Sequence, residues 1–441
     1  MTFPTTGRRR VAITGIGLVT PVGNDVASTW SALLAGRSGG AAITNFDASG
    51  FPVRIAAEVK GFDDAAAGDR KLLKLTTRPH RFALAAAEQA LVDAGLRPTP
   101  ATATRWGCAV GAGMMTSEYV DLAVTHAHAG ADGELHPDLL LADPAANDPM
   151  VFCRSQATAG IALLTRRYGI RGYATSVHTA CASGGQALGT ALKLIRRGAV
   201  DCVLAGGFDS MISPVGLAGF CLLSAVSPDN DAPERASRPF DATRNGFLLG
   251  EGAGFLVLEE WTSARRRGAR IYAELAGDGN SLSSYRITDS PPDGDGPIQA
   301  MRAALADAGA TPADIDYLNA HGTSTPMNDK SESAATHAVF GADVAHVGVS
   351  STKSTMGHLI AAAGAVEVAA CALAIVHSEM PVNANYRTPD PDCALNLVIG
   401  APRRQRVRMA MSNSFGFGGS NSCVVLRHPE EVDGGSAAVP A

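Results

Sequence analysis

Two distant stretches of this chain repeat one another. AAAEQALVDAGLRP (85–98) and AMRAALADAGATP (300–312) share Ala, Leu, Asp-Ala-Gly and Pro at a constant offset, so that Asp93-Ala94-Gly95 maps onto Asp307-Ala308-Gly309 and Pro98 onto Pro312. Glycine is the usual stop of an Ala-rich helix, so any two such helices share some of this pattern. Each copy, however, leads into a strand-like run. The echo points to two similar halves, roughly 8–260 and 268–428, that pack together because neither covers its sheet alone. Residues 1–7 and 429–441 hold too few large apolar side chains to pack and read as loose tails.

Between the tails, strand-like runs (VAITGIG, WGCAVGAG, YATSVHT, VDCVLAGG, GAGFLVLEE, DYLNAHG, HVGVSS, MAMSNSF) alternate with helical periodicity over 81–93, 182–197, 298–308 and 361–376. That alternation predicts an α/β architecture with helices on both faces of its sheets. A length of 441 residues accommodates two or three domains or one large duplicated body. With 46% apolar and 18% charged residues there is material for a core. A net charge of −5 disfavours nucleic acid or an anionic membrane as partner. Eight cysteines without a CxxC pair argue against a disulfide scaffold or zinc ribbon and for a reducing, cytoplasmic setting.

Two segments imitate export or membrane signals. Arg8-Arg9-Arg10 before VAITGIGLVTPVG has a basic start, but Gly15, Gly17 and Pro21 make it a first strand and its turn. The run from Leu359 to Val376 is broken only by Glu367. It is rich in Ala and Gly, and a carboxylate in mid-bilayer is costly, so it reads as a helix buried in protein. Two irregular stretches, Gly130 to Pro149 and Asn280 to Pro297, are long enough to be functional covers or disordered insertions.

Four short elements could carry chemistry. In Thr179-Ala180-Cys181-Ala182-Ser183-Gly184-Gly185, a strand ends just before Cys181 and an amphipathic helix starts just after it. A helix N-terminus favours thiolate over thiol, so Cys181 is a candidate nucleophile; an inert packed cysteine is the alternative. His321 in Asn319-Ala320-His321-Gly322-Thr323-Ser324-Thr325-Pro326, and His358 in Ser351-Thr352-Lys353-Ser354-Thr355-Met356-Gly357-His358, each fall at a strand-to-helix junction. Either alone could be an ordinary hydrogen-bonded histidine. One Cys and two His delivered to the strand ends of an α/β protein make a plausible acyl-transfer centre. Ser412-Asn413-Ser414-Phe415-Gly416-Phe417-Gly418-Gly419-Ser420-Asn421 reads as a tight turn between strands whose amides could face a ligand, or as a plain hairpin. No helix follows it, so it is no nucleotide loop.

TACASG, HGTSTP, STKSTMGH and NSFGFGGSN occur in the order and approximate spacing of the elongating β-ketoacyl-acyl carrier protein synthases. RPFDATRNGFLLGEGAG (238–254) and the opening VAITGIGLVTPVG also resemble that family, over about Arg10 to Leu426. The resemblance implies a thiolase-like fold, duplicated α/β halves forming a layered αβαβα body. It implies Cys181 as the acyl-carrying nucleophile, and His321 and His358 as the pair that holds the extender's carbonyl and promotes loss of CO2. Lys353 matches a lysine of the same site, Asp329 and Glu332 its supporting acids, and Thr323 and Thr325 the contacts to the phosphopantetheine arm. Phe417 matches a gate; Phe415, Phe220, Met114 and Met115 fall by the gate and acyl pocket. No cofactor or metal is implied beyond the phosphopantetheine of acyl carrier protein. The implied partners are that carrier protein and a second subunit, as a homodimer or a heterodimer with a synthase-like chain-length factor.

His178, Asn328 and Met114-Met115 depart from the family's usual residues and mark altered substrate or partner choice, as in a polyketide or polyene synthase. A coenzyme A-dependent thiolase would need a second Cys in the glycine turn, and the nearest, Cys423, falls in the next strand. The initiating synthases pair Cys with His and Asn, whereas His358 stands here. A non-catalytic chain-length-factor subunit would lack the nucleophile.

Overall fold

The computed structural model describes residues 8–113, 118–127, 130, 134, 138, 148 and 150–430. Met114, Met115 and most of the 130–149 stretch lie outside the described residues. The main sheet has ten strands: β1 (Val11–Val19), β2 (Trp106–Ala112), β3 (Ala174–Val177), β4 (Cys202–Ser210), β5 (Glu251–Glu260), β6 (Ala273–Leu282), β7 (Tyr317–Asn319), β8 (Gly348–Ser350), β9 (Met409–Phe415) and β10 (Ser420–Arg427). Their order is β3-β2-β4-β5-β1 followed by β6-β10-β9-β7-β8. Adding five to each number of the first half gives the second half read from its far edge inward. Directions repeat as well: the β1–β5 and β5–β4 pairs are antiparallel and the β4–β2 and β2–β3 pairs parallel, as are their counterparts. The halves join where Ala12 and Ile13 of β1 pair with Glu274 and Ala273 of β6.

The helices that matter here are α1 (Arg78–Ala94), α2 (Ser183–Arg196), α3 (Pro214–Leu222), α4 (Asp295–Ala308), α5 (Pro326–Phe340) and α6 (Ala363–His377). The repeated Asp-Ala-Gly now acquires a cause. Asp93 at the end of α1 accepts the Ile16 N–H of β1 at 2.9 Å, and Asp307 at the end of α4 accepts the Asp278 N–H of β6 at 3.1 Å. Beside each aspartate a Gly-x-Gly lets the helix lie on the strand. A Cβ on Gly15 would be 2.2 Å from Ala90 O, and one on Gly277 2.4 Å from Ala304 O; Gly17 and Gly279 meet Ala86 O and Ala300 O likewise. Each half is thus clamped by the same aspartate and the same pair of missing side chains.

The cores stack into layers. Residues of α1 pack on the outer face of the first half's strands, and α4 and α5 on the outer face of the second half's. Between the two halves of the sheet, α2 and α6 share one core with inward residues of β1, β4, β5, β6, β9 and β10. This is the αβαβα body of a thiolase-like fold. The helical stretch Ile360–His377 is 89% buried, which accounts for its apolar composition without a membrane. The two central helices touch at their N-termini: a Cβ on Gly184 would lie 2.8 Å from Ala365 N, and one on Gly364 2.6 Å from Gly185 N. All eight cysteines are free.

Candidate active site

The strand ends and helix starts converge on one pocket. From β3 the chain passes through a short 3-10 turn, Ala180–Ala182, into α2, and Cys181 sits in that turn with 7% of its surface exposed. After β7, the 320–325 loop carries His321. After β8, a one-turn helix Lys353–Met356 leads to His358 and on to α6. The Sγ of Cys181 and a ring nitrogen from each of His321 and His358 lie within 4.8 Å of one another, all three side chains buried. The rings of His321 and His358 meet edge to face at 5.3 Å. Cys181 lines this pocket together with Thr323, Thr325, Met327 and Asn328, of which Met327 is exposed.

Two carboxylates at the start of α5 shape the 320–325 loop from behind. Glu332 accepts the N–H groups of His321 and Gly322 at 2.8 and 2.7 Å and the Asn413 amide at 3.0 Å. Burial nonetheless pushes its acid up to about 7. Asp329 accepts from Phe240 N–H at 2.8 Å and Ser324 N–H at 3.2 Å, with Arg244 nearby at 3.7 Å. Neither carboxylate lines the pocket; both hold its backbone. Thr323 and Thr325 bond each other at 2.9 Å. Of the residues that depart from the family, Asn328 lines the pocket and bonds Asp329, whereas His178 is exposed and bonds Ser176.

Lys353 and Glu367 form an ion pair wholly inside the protein, with side chains 1% and 0% exposed. The Lys353 charge bears on the whole centre. Burial first, then that ammonium, holds both imidazoles well below the usual histidine range, so the rings are neutral. His358 Nδ1 accepts the Ile360 N–H at 3.0 Å, which assigns its proton to Nε2 and makes that nitrogen a donor. Cys181 and the histidines therefore meet as a neutral thiol and two neutral rings beside the Lys353–Glu367 pair. Burial pushes the thiol up to about 12, outweighing the lowering by Lys353 and by the Phe417 and Cys181 backbone N–H groups. The thiolate anticipated from the helix start is thus not the resting form: α2 begins two residues later, and desolvation dominates. The same three atoms could approach a metal ion, but a ligand needs a thiolate and a bare imidazole lone pair, and His358 presents a proton.

Aromatic rings run along the pocket wall: Phe417 to Phe220 at 6.5 Å, Phe220 to Phe247 at 5.3 Å, Phe247 to His358 at 5.3 Å, and His321 to Phe415 at 5.7 Å. Phe220 comes from α3 and is buried, whereas Phe417 is half-buried in the 416–419 turn. The 280–297 stretch begins as the end of β6; its later residues, Ser283 and Thr288–Ser290, line the pocket. It docks on the glycine turn through Gly418 N–H to Ile287 O and Ser283 N–H to Gly419 O. Cys423 lies buried in β10 and does not line the pocket, so the turn supplies no second thiol. Sequence reasoning did not single out Phe247, Asn413 or Asp209 for the site. For Glu367 the signal was present, a lone carboxylate in an apolar helix, but its partner was not.

This fold and site define the class: a thiolase-like condensing acyltransferase. The Beta-ketoacyl synthase N-terminal domain family matches residues 8–264 and the Beta-ketoacyl synthase C-terminal domain family residues 272–387, and the chain belongs to the β-ketoacyl synthase family. It is 40% identical over 419 residues, 95% of this chain and 98% of the other, to a 3-oxoacyl-[acyl-carrier-protein] synthase 2 of Coxiella burnetii (strain RSA 493 / Nine Mile phase I). Among solved structures it is similar to the ishigamide ketosynthase/chain length factor, with TM-score 0.85 and 38% identity over 95% of this chain and 99% of that one. It is also similar to AntDE:AntF, a type II polyketide synthase acyl-carrier protein in complex with its ketosynthase bound to the hexaketide, with TM-score 0.84 and 33% identity over the same shares of the two chains.

Proposed function

We propose that the chain catalyses the decarboxylative condensation of an acyl thioester with malonyl-acyl carrier protein, elongating a fatty acyl or polyketide chain. The observation that carries this is the convergence of Cys181, His321 and His358 within 4.8 Å in a pocket also lined by Thr323 and Thr325. In the first half-reaction Cys181 Sγ attacks the incoming thioester, the bond to the carrier sulfur breaks, and the Cys181 proton ends on that sulfur, which departs as the free carrier thiol. In the second, malonyl-carrier protein enters and its C–C bond to the carboxylate breaks, releasing CO2. The electron pair collects on the thioester oxygen as an enolate, where imidazole N–H donors stabilise it without a metal. The enolate carbon attacks the Cys181 thioester, whose oxygen is held by the Cys181 and Phe417 N–H groups. Collapse expels the thiolate, which recovers a proton, and leaves a β-ketoacyl carrier protein.

In this reading Thr323 and Thr325 contact the phosphopantetheine arm, Phe417 is the gate, and Phe220 and Phe415 border the acyl chain, a reading supported by all five lining the same pocket. Asp329, Glu332 and Lys353 hold the loops and the charge of the histidine pair. The partners in this reading are acyl carrier protein and a second subunit, either another copy or a chain-length-factor-like chain, in the cytoplasm. The Cys181–histidine set favours a working catalyst over a non-catalytic partner. Incubation with acyl- and malonyl-carrier proteins, followed by intact-mass spectrometry, tests the reading. The expected results are an acyl adduct on Cys181, CO2 release and a β-ketoacyl product, all condensation being lost in Cys181→Ala. A Cys181→Ala enzyme that still condenses overturns it.

A further inference from the structure

The geometry points to Asp209 as a positioning residue for His358, acting through the turn between His358 and α6. Asp209 stands at the end of β4, 1% exposed, and no step of the proposed chemistry uses it, although its charge adds to the burial that raises the Cys181 thiol. Its Oδ2 accepts the Ala361 N–H at 3.0 Å. The enclosure is built around this carboxylate: a Cβ on Gly113 would lie 2.2 Å from its Oδ1.

The turn needs holding. Ile360 has φ of +47°, in the left-handed region that a β-branched residue enters only when its surroundings force it. Its N–H is the group that bonds His358 Nδ1 and sets which ring nitrogen carries the proton. Upstream, His358 is secured by main chain, through its N–H to Leu248 O at 2.7 Å and its C=O to Gly250 N–H at 2.9 Å. Downstream, the backbone beyond Ile360 is fixed by Asp209 at Ala361. The duplication sharpens the contrast. Ala180, before Cys181, has φ of +49°, matching Ile360, and the two 3-10 turns 180–182 and 360–362 lead into the matching helices α2 and α6. In the first half the N–H following the strained residue is that of Cys181 and faces the sulfur. In the second half the corresponding N–H is that of Ala361 and is taken by Asp209.

This role rests on the condensing reading of the site. It acts on the half-reaction that uses His358, so decarboxylation should suffer more than transfer of the acyl group to Cys181. The test compares Asp209→Ala, Asp209→Asn, Ile360→Gly and Asp209→Ala/Ile360→Gly, measuring acyl-adduct formation and CO2 release from malonyl-carrier protein separately. Histidine 15N spectra report the His358 tautomer. Asp209→Ala is expected to slow CO2 release about tenfold or more at unchanged KM, with acyl transfer within about threefold, and to shift the His358 ring away from the Nε2-protonated form. Asp209→Asn keeps an acceptor for Ala361 and should restore both. Glycine takes positive φ without strain, so adding Asp209→Ala to Ile360→Gly should cost less than about threefold. Equal losses in both half-reactions, no rescue by Asn, or a full Asp209 effect in the Ile360→Gly background overturns the assignment. If Asp209→Ala alone fails to fold, the double variant must fold and match Ile360→Gly, or the assignment is wrong. A wild-type protein that neither acylates nor decarboxylates refutes the condensing reading instead, while the ring spectra still decide whether Asp209 sets the tautomer.

Discussion

Replacing Lys353 by Met would strand a carboxylate. Glu367 is fully enclosed in α6, and the Lys353 ammonium is its counter-charge, with almost none of either side chain reaching solvent. Removing one member of such a buried pair costs about 3–5 kcal/mol, because the other keeps its desolvation penalty without its partner. Against a total stability of about 5–15 kcal/mol, that is a large fraction. Removing both charges should be far milder. Lys353→Met/Glu367→Leu replaces the pair by apolar groups of similar size and is expected within about 1–2 kcal/mol of wild type. The assay is urea unfolding of the four proteins, comparing midpoints at matched slopes. Lys353→Met is expected to lose at least about 3 kcal/mol, and the double variant to recover most of it. A loss below about 1 kcal/mol in Lys353→Met, or a double variant whose loss equals the sum of the singles, refutes the reasoning. Activity gives a second reading of the same charge. Without the ammonium, the imidazoles lose the second cause of their lowering, so the acid limb of the decarboxylation profile should move to higher pH.

Other consequences can be measured directly. His80 is 1% exposed, and burial holds it at about 4, below its unfolded value; the unfolded chain therefore takes up the proton first as pH falls, and stability present above about 6.5 is lost below it. His80→Gln keeps an acceptor for the Thr77 N–H and should abolish a loss of about 2 kcal/mol between pH 7 and pH 5, read from urea midpoints at the two pH values. Gly279→Ala would set a Cβ 2.1 Å from Ala300 O and should cost about 2 kcal/mol or more, as should Gly17→Ala at the matching place; a neutral effect in a thermal melt would contradict the clamp. With its acid at about 12, Cys181 should be alkylated by iodoacetamide at a rate still rising about tenfold per pH unit between pH 8 and 10; a plateau by pH 9 would show a resting thiolate.

Much of the site was legible because short motifs sit where strands end. Cys181, His321 and His358 were placed by the strand-like runs before them and the helical periodicity after them, and the sheet brings those ends together. The Asp-Ala-Gly echo revealed the duplication, although its reason lay in strands the comparison had not paired: the value of Gly15 and Gly277 is the close approach of a helix, which a sequence does not display. Asp209 was invisible for a related cause, since it works through a backbone N–H that every residue possesses. The thiol's state was not legible because motif position conveys the helix start but not the depth of burial, which pushes the Cys181 thiol up.

The contact of α2 with α6 at Gly184 and Gly364 constrains how substrate gets in. Enzymes with a centre between two lobes commonly load by hinging open. Here the lobes share a continuous sheet and a crossing too tight for a single methyl group, so the cleft cannot widen by rotation of one lobe against the other. Admission falls to the loops around the pocket, where two backbone hydrogen bonds tie residues 283–287 to 418–419.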